Sequence, residues 1–453
     1  MPKEHDVLTL TRELIAFNTI NPPGRELPCA EYLGRILDEA GFATQFHSLS
    51  EGRASLIATI EGRGDRPPLC FTGHTDTVPL GAAPWTRDPL GGQIEGDRLY
   101  GRGSTDMKGG LAAMVVAATR LARSANRKAG LTLVITASEE NACRGSLHLT
   151  TLGGVLGSAG AVVVGEPTSN YPLIGHKGTL WIEARTTGVT AHGSMPEQGV
   201  NAIYKIARAV GKLETFRFDA APHPVLGSPT LNVGTIAGGM NVNSVPDRAT
   251  IGIDVRTVPG QSNRAAFAQI RALLGDEVEL DCPVDVDGVW TDSENEWVQE
   301  VFDIMEPHLG QRPVARGATY FTDAAFLTPA YGNPPTIILG PGELEMAHKT
   351  DEYCRVSKIE AITEAYTQIA RRWCGVWHGS AAEAARISYT NDAIADFRGR
   401  LCTFTLVSWR PLPIEFPSRK AALQARWGDY SKFLAEFVLF RQGSLQSPHP
   451  TIR

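Results

Sequence analysis

Residues 131–141 read Leu-Thr-Leu-Val-Ile-Thr-Ala-Ser-Glu-Glu-Asn. The first six form a short apolar run of the kind that makes a buried strand. The two carboxylates that follow, Glu139 and Glu140, repel one another and cost stability unless a cation compensates them. Taken alone, the pair reads equally well as an ordinary surface turn. Apolar runs of the same type occur at residues 55–60, 69–72 and 161–164, and they alternate with helical spacing over 7–17, 27–40 and 108–123. That alternation predicts an α/β layer around a mixed, largely parallel sheet. Ligands of open α/β sheets bind outside the carboxyl ends of the strands, so the residues leaving strand ends carry the most information.

Further along, the rhythm changes. Strand patterns at 179–186, 231–236, 249–255 and 277–282 are interleaved with helices at 201–215 and 263–274. The resulting βαββαβ order predicts a separate ferredoxin-like unit. The α/β style resumes with a helix near 296–308, a strand at 336–339 and a helix near 357–373. The expected organisation is therefore an α/β domain in two parts, residues 1–177 and 289–378, interrupted by an inserted ferredoxin-like α/β domain at 178–288. Residues 379–453 form a C-terminal extension of unassigned role. Its Trp-Arg-Pro-Leu-Pro-Ile-Glu-Phe-Pro stretch, 409–417, has too many prolines for regular structure. One amphipathic helix is expected at 430–441, as a loosely packed appendage or as a docking or oligomerisation element.

Composition narrows the partners. With 453 residues, 42% hydrophobic and 20% charged, the chain is globular and long enough for two or three domains. A net charge of -6 gives no basic surface for nucleic acid or an anionic membrane, so a small molecule is the default ligand. Seven cysteines, an odd number without a C-x-x-C pair, fit reduced thiols in a cytoplasm. The N-terminus, MPKEHDVLTLTRELIAF, alternates charged and apolar residues and does not read as a signal peptide. No apolar stretch reaches the roughly 18 residues of a membrane span.

Four other segments carry candidate chemistry. Gly73-His-Thr-Asp-Thr-Val-Pro79 places His74 and Asp76 two apart at a strand end, where the Asp can orient a metal-bound imidazole or simply make a structural hydrogen bond. Gly101-Arg-Gly-Ser-Thr-Asp-Met-Lys-Gly-Gly110 sets Asp106 just before a helix, where it reads as ligand or as N-cap. A phosphate cradle is a third reading of that Gly-rich turn, although it lacks P-loop or dinucleotide spacing. Val164-Gly-Glu-Pro-Thr168 offers Glu166, and Leu339-Gly-Pro-Gly-Glu-Leu-Glu-Met-Ala-His348 delivers His348 from a loop. Each is ambiguous singly. Combined on one rim, His74, Asp106, Glu140, Glu166 and His348 would satisfy two zinc ions, one carboxylate bridging, with room left for water.

The ordered set GHTDTVP, GRGSTDMKGG, ASEEN, GEPT and a late AHK, spread over about residues 5–375, resembles the family of acetylornithine deacetylase, succinyl-diaminopimelate desuccinylase, aminoacylase and related zinc carboxypeptidases. The resemblance implies one zinc on His74, Asp106 and Glu166 and another on His348, Asp106 and Glu140. It implies Asp76 as the residue orienting His74 and Glu139 as a general base that is not a ligand. The inserted unit resembles the family's lid and dimerisation domain. Within it, Gly188-Val-Thr-Ala-His-Gly-Ser-Met-Pro196 implies that His192 reaches a neighbouring subunit's site in a homodimer and stabilises the oxyanion, while Asn243 and Arg256 bind the substrate carboxylate. The expected activity is removal of an acetyl or succinyl group from an N-acyl amino acid. A metallo-carboxypeptidase or dipeptidase is the nearest rival, and a zinc protein that binds without hydrolysing is the rival of another class. Cobalt or manganese suits the same N/O ligands.

Overall fold

A computed structural model describes residues 5–376. Its central sheet has six strands in the order Ala43–Ser50, Arg53–Ile60, Leu131–Thr136, Leu69–His74, Ala161–Val164, Thr336–Ile338. Arg53–Ile60 is antiparallel to both its neighbours, and every later pairing is parallel. Only that one strand therefore runs against the rest, and the sheet is mixed and mostly parallel.

The unbroken apolar runs follow from burial on both faces. Phe71, Leu133, Val163 and Ile337 pack toward the helices Val7–Ala16, Gly109–Ala122 and Val356–Trp373. Their alternates Cys70, Val134, Val162 and Ile338 join Leu149 and Leu327, from the helices Arg144–Thr151 and Ala324–Ala330, in a second cluster. Helix Gly109–Ala122 is apolar nearly all round because it is covered nearly all round. Its start lies so close to the Glu166 turn that a Cβ on Gly110 would sit 2.3 Å from the Gly165 carbonyl oxygen.

A second, four-stranded sheet is antiparallel throughout, in the order Thr230–Gly238, Arg248–Thr257, Gly178–Thr187, Glu279–Val286. Helices Ala202–Thr215 and Asn263–Leu274 cover one face, with Leu180, Ile182, Ile206, Ile251, Ile253 and Ile270 between them. In chain order these elements run βαββαβ. The Ala43–Ser50 strand carries no apolar signal in the sequence because it is an edge strand with five of its eight residues exposed and none buried. The 430–441 helix and the rest of the expected extension lie outside the described residues.

Candidate metal centre

Register aligns the strand ends. His74 stands opposite Thr136, Thr72 opposite Val164, and Val164 opposite Ile338. The segments leaving these strands thus emerge along one rim, and they bring the five expected ligands together. His74 Nε2 lies 3.2 Å from Asp106 Oδ1 and 3.6 Å from Glu166 Oε1. His348 Nε2 lies 3.3 Å from Asp106 Oδ2 and 3.2 Å from Glu140 Oε2. Asp106 stands between the two imidazoles, one oxygen toward each. Two candidate ligand sets result, His74–Asp106–Glu166 and Asp106–Glu140–His348, with the donor atoms of each within 4.8 Å of one another.

The donor set fits divalent cations. Asp106, Glu140 and Glu166 share a buried site, and among the described residues these carboxylates form ion pairs with the two histidines. Glu140 Oε1 is buried with no hydrogen-bond partner, which is costly in a dry site unless a cation takes it up. Burial, then the Asp106 charge, pushes Glu166 well above the usual carboxylate range, and the same two causes raise Glu140. Burial also lifts Asp106, but His348 and His74 outweigh it and hold that carboxyl low. Hydrogen bonds to Asp106 and Glu140 push His348 up to about 10. Positive charge is what this cluster takes up.

Asp106 is not a helix cap. It precedes helix Gly109–Ala122 in a turn, Ser104–Lys108, with no side-chain capping bond, and its oxygens face the imidazoles instead. Its position is fixed by Glu352, a buried residue that the sequence reading missed. Glu352 accepts hydrogen bonds from the backbone N–H of Gly103 (3.1 Å), Thr105 (2.8 Å) and Asp106 (3.1 Å). Arg102, equally buried, donates to Glu352 at 2.6 Å and to the carbonyls of Pro79 at 3.0 Å and Lys349 at 3.3 Å. One buried ion pair therefore ties the loop of the shared aspartate to the loop that presents His348. The signal for it was present in GRGSTDMKGG and in the Asp351-Glu352 step after His348, but pairing across 250 residues is not legible in one sequence.

Asp76 is fully buried, and its closest link to His74 is the main-chain carbonyl, 2.9 Å from Nδ1, with the carboxylate at 3.6 Å. Since a carbonyl only accepts, Nδ1 carries the hydrogen and Nε2 is free to ligate. The Asp76 carboxylate instead accepts from Glu139 N at 3.0 Å, Glu140 N at 3.3 Å and Asn21 Nδ2 at 2.9 Å. It thereby holds the turn in which Ser138 adopts a left-handed φ of 59°. Glu139 lines the same cavity as Asp106, Glu140, Glu166 and His348. Burial raises its carboxyl well above the usual range, partly offset by His74. The Cys143 thiol donates to Glu139 Oε1 at 3.2 Å, and Asp323, 1% exposed, lies beside both. Neither neighbour was singled out from the sequence.

Arg256 lines this cavity, reaching it from the second sheet, where it donates to Asp254 at 3.1 Å and to Thr179 Oγ1 at 2.9 Å. His192 and Asn243 do not line it. They lie in adjoining exposed segments, with Gly193 N donating to Asn243 O at 2.7 Å and His192 Nδ1 paired with Ser194 Oγ at 2.8 Å. A larger cavity, about 950 Å3, contains none of the ligand set.

A parallel rim that gathers two nitrogen–carboxylate sets around one shared aspartate, with a further carboxylate beside them, has the donor arrangement of a two-metal hydrolase site. The chain belongs to the peptidase family M20/M25/M40, whose model matches residues 70–372. It is 30% identical over 402 residues to a probable succinyl-diaminopimelate desuccinylase of Staphylococcus epidermidis, covering 82% of this chain and 98% of that one. An acetylornithine deacetylase of Photorhabdus laumondii is 30% identical over 370 residues, 76% of this chain and 89% of its own. Among solved structures, an M20 family metallo-carboxypeptidase from Sulfolobus solfataricus has the same fold, with a TM-score of 0.69 at 18% identity over 82% of this chain and 99% of that one. No described helix is long and apolar enough to cross a membrane.

Proposed function

We propose that the chain is a two-zinc amidohydrolase that removes an acyl group, acetyl or succinyl, from an N-acylated amino acid. The observation that carries this reading is Asp106, with one carboxylate oxygen toward His74 and the other toward His348. His74, Asp106 and Glu166 would hold one cation, and His348, Asp106 and Glu140 the other. Bound there, divalent cations supply Lewis-acid polarisation and lower the pKa of water. Glu139 takes a proton from the attacking water and returns it to the leaving amine, a role suited to a buried carboxylate with a raised pKa. Asp76 keeps Glu139 and Glu140 in place through their backbone N–H groups and fixes the His74 tautomer through its carbonyl. Arg256 is the charged fork for the substrate carboxylate. Replacing Glu139 with Gln should cost at least about 100-fold in turnover, the low end for general base catalysis, while metal content stays that of wild type. Full turnover in that variant refutes the assignment.

The four-stranded sheet serves in this reading as a lid and dimerisation domain, residues 178–288. Its edge strand Thr230–Gly238 and the exposed Tyr204, Ile236, Met240 and Val242 support a homodimer. His192 would then complete the partner's site, and Asn243 would join Arg256 on the carboxylate. The six described cysteines are free thiols, which supports a reducing, cytoplasmic setting.

A further inference from the structure

The cavity beside the ligand set measures about 330 Å3, and its walls say which amino acid it takes. Away from the metal centre it is lined by Pro167, Trp181, Tyr320, Phe321, Leu344 and Ala347, with Arg256. Trp181 and Phe321 meet edge to face, centroids 6.5 Å apart. The polar ends of the aromatics are already used: Trp181 Nε1 donates to Asp254 at 3.0 Å, and the Tyr320 hydroxyl donates to the Pro167 carbonyl at 2.9 Å. What they offer a ligand is ring surface.

Charge points the same way. Every carboxylate lining the cavity, Asp106, Glu139, Glu140 and Glu166, belongs to the ligand set or is the base. Asp254, a carboxylate on the second sheet, is engaged by both Trp181 and Arg256 and does not line the space. A side-chain ammonium would be desolvated there without a partner. Among the described residues Arg256 is the only arginine or lysine on the wall, so the substrate's α-carboxylate is served and a second carboxylate on its side chain is not.

We propose that this chain acts on N-acyl amino acids with a large apolar or aromatic side chain, seated against Trp181 and Phe321, in preference to the basic amino acid ornithine or the dicarboxylic amino acid diaminopimelate in the names of its relatives. The inference rests on the amidohydrolase reading and deepens it. The test is kcat/KM of the full-length, metal-loaded chain for N-acetyl-phenylalanine, N-acetylalanine, N-acetylornithine and N-succinyl-diaminopimelate. N-acetylphenylalanine should exceed N-acetylalanine and N-acetylornithine by at least about tenfold, the low end for a hydrophobic pocket's discrimination. In Trp181→Ala and Phe321→Ala the phenylalanine-to-alanine ratio should fall toward unity. That ratio is internal to each protein, so partial misfolding cancels. Equal or faster turnover of N-acetylornithine or the succinyl compound overturns the proposal, as does an unchanged ratio in both variants. Hydrolysis of none of the four compounds, nor of a dipeptide, sinks the amidohydrolase reading itself.

Discussion

Replacing Glu352 with Gln tests how the shared aspartate is held. The carboxylate receives three backbone N–H groups of the Gly103–Asp106 loop and the Arg102 guanidinium, and both side chains are about 1% exposed. An amide presents one acceptor oxygen in place of two and turns an NH2 group toward donors. It also leaves the Arg102 charge buried without its counter-ion. Breaking a buried pair on one side costs about 3–5 kcal/mol. The loop that loses its anchor carries Asp106, and Arg102 also holds the carbonyls around His348. Loss of such an outer partner lowers metal affinity about 10–100-fold. Urea unfolding of the metal-free protein reads the first quantity, and competition with a chromogenic chelator reads the second. Wild-type values in both measurements would refute the idea that Glu352 positions the bridging ligand.

Other perturbations follow from the same packing. His176 is fully buried, donates from Nδ1 to the Lys177 carbonyl at 2.8 Å, and leaves Nε2 without a partner. Burial lowers its pKa to about 4, below the ordinary value of about 6.5. The unfolded chain therefore binds this proton first as pH falls, so stability is lost between about pH 6.5 and 4, by at most about 3.5 kcal/mol. His176→Gln should flatten that part of a Tm-against-pH profile; an unaltered slope contradicts the assignment. Gly110→Ala puts a methyl against the Gly165 carbonyl and should cost about 1–3 kcal/mol, as overpacking does, with a loss of metal affinity through Glu166. Denaturation and metal titration equal to wild type would show that the contact is not needed.

The strand ends were the most legible part of the chain, because apolar runs such as Leu131–Thr136 are buried on both faces and cannot be mistaken for solvated segments. From those ends His74, Glu140, Glu166 and His348 could be placed on one rim before any register was known. Local pattern fails where an element owes its existence to a neighbour. The polar strand Ala43–Ser50 pairs only at the sheet edge, and the short strand Tyr353–Arg355 pairs only with the distant Arg98–Tyr100. The same limit hid Glu352 and Asp323, whose partners Arg102 and Thr136 lie 250 and 187 residues away. The spacing of Asp76 from His74 reads equally as an orienting contact or a structural hydrogen bond, and the family resemblance favours the first. The second task of Asp76, gripping the Glu139–Glu140 turn, became visible only when the strands were side by side.

The claim beneath all of this is that one carboxylate, Asp106, is shared by two cations. Metal content of the purified chain, measured by plasma mass spectrometry after dialysis against zinc and then metal-free buffer, tests it directly. Two zinc ions per wild-type chain are expected, with both sites weakened together in Asp106→Ala. One ion or none in the wild type, or a variant that still retains two, would contradict the account.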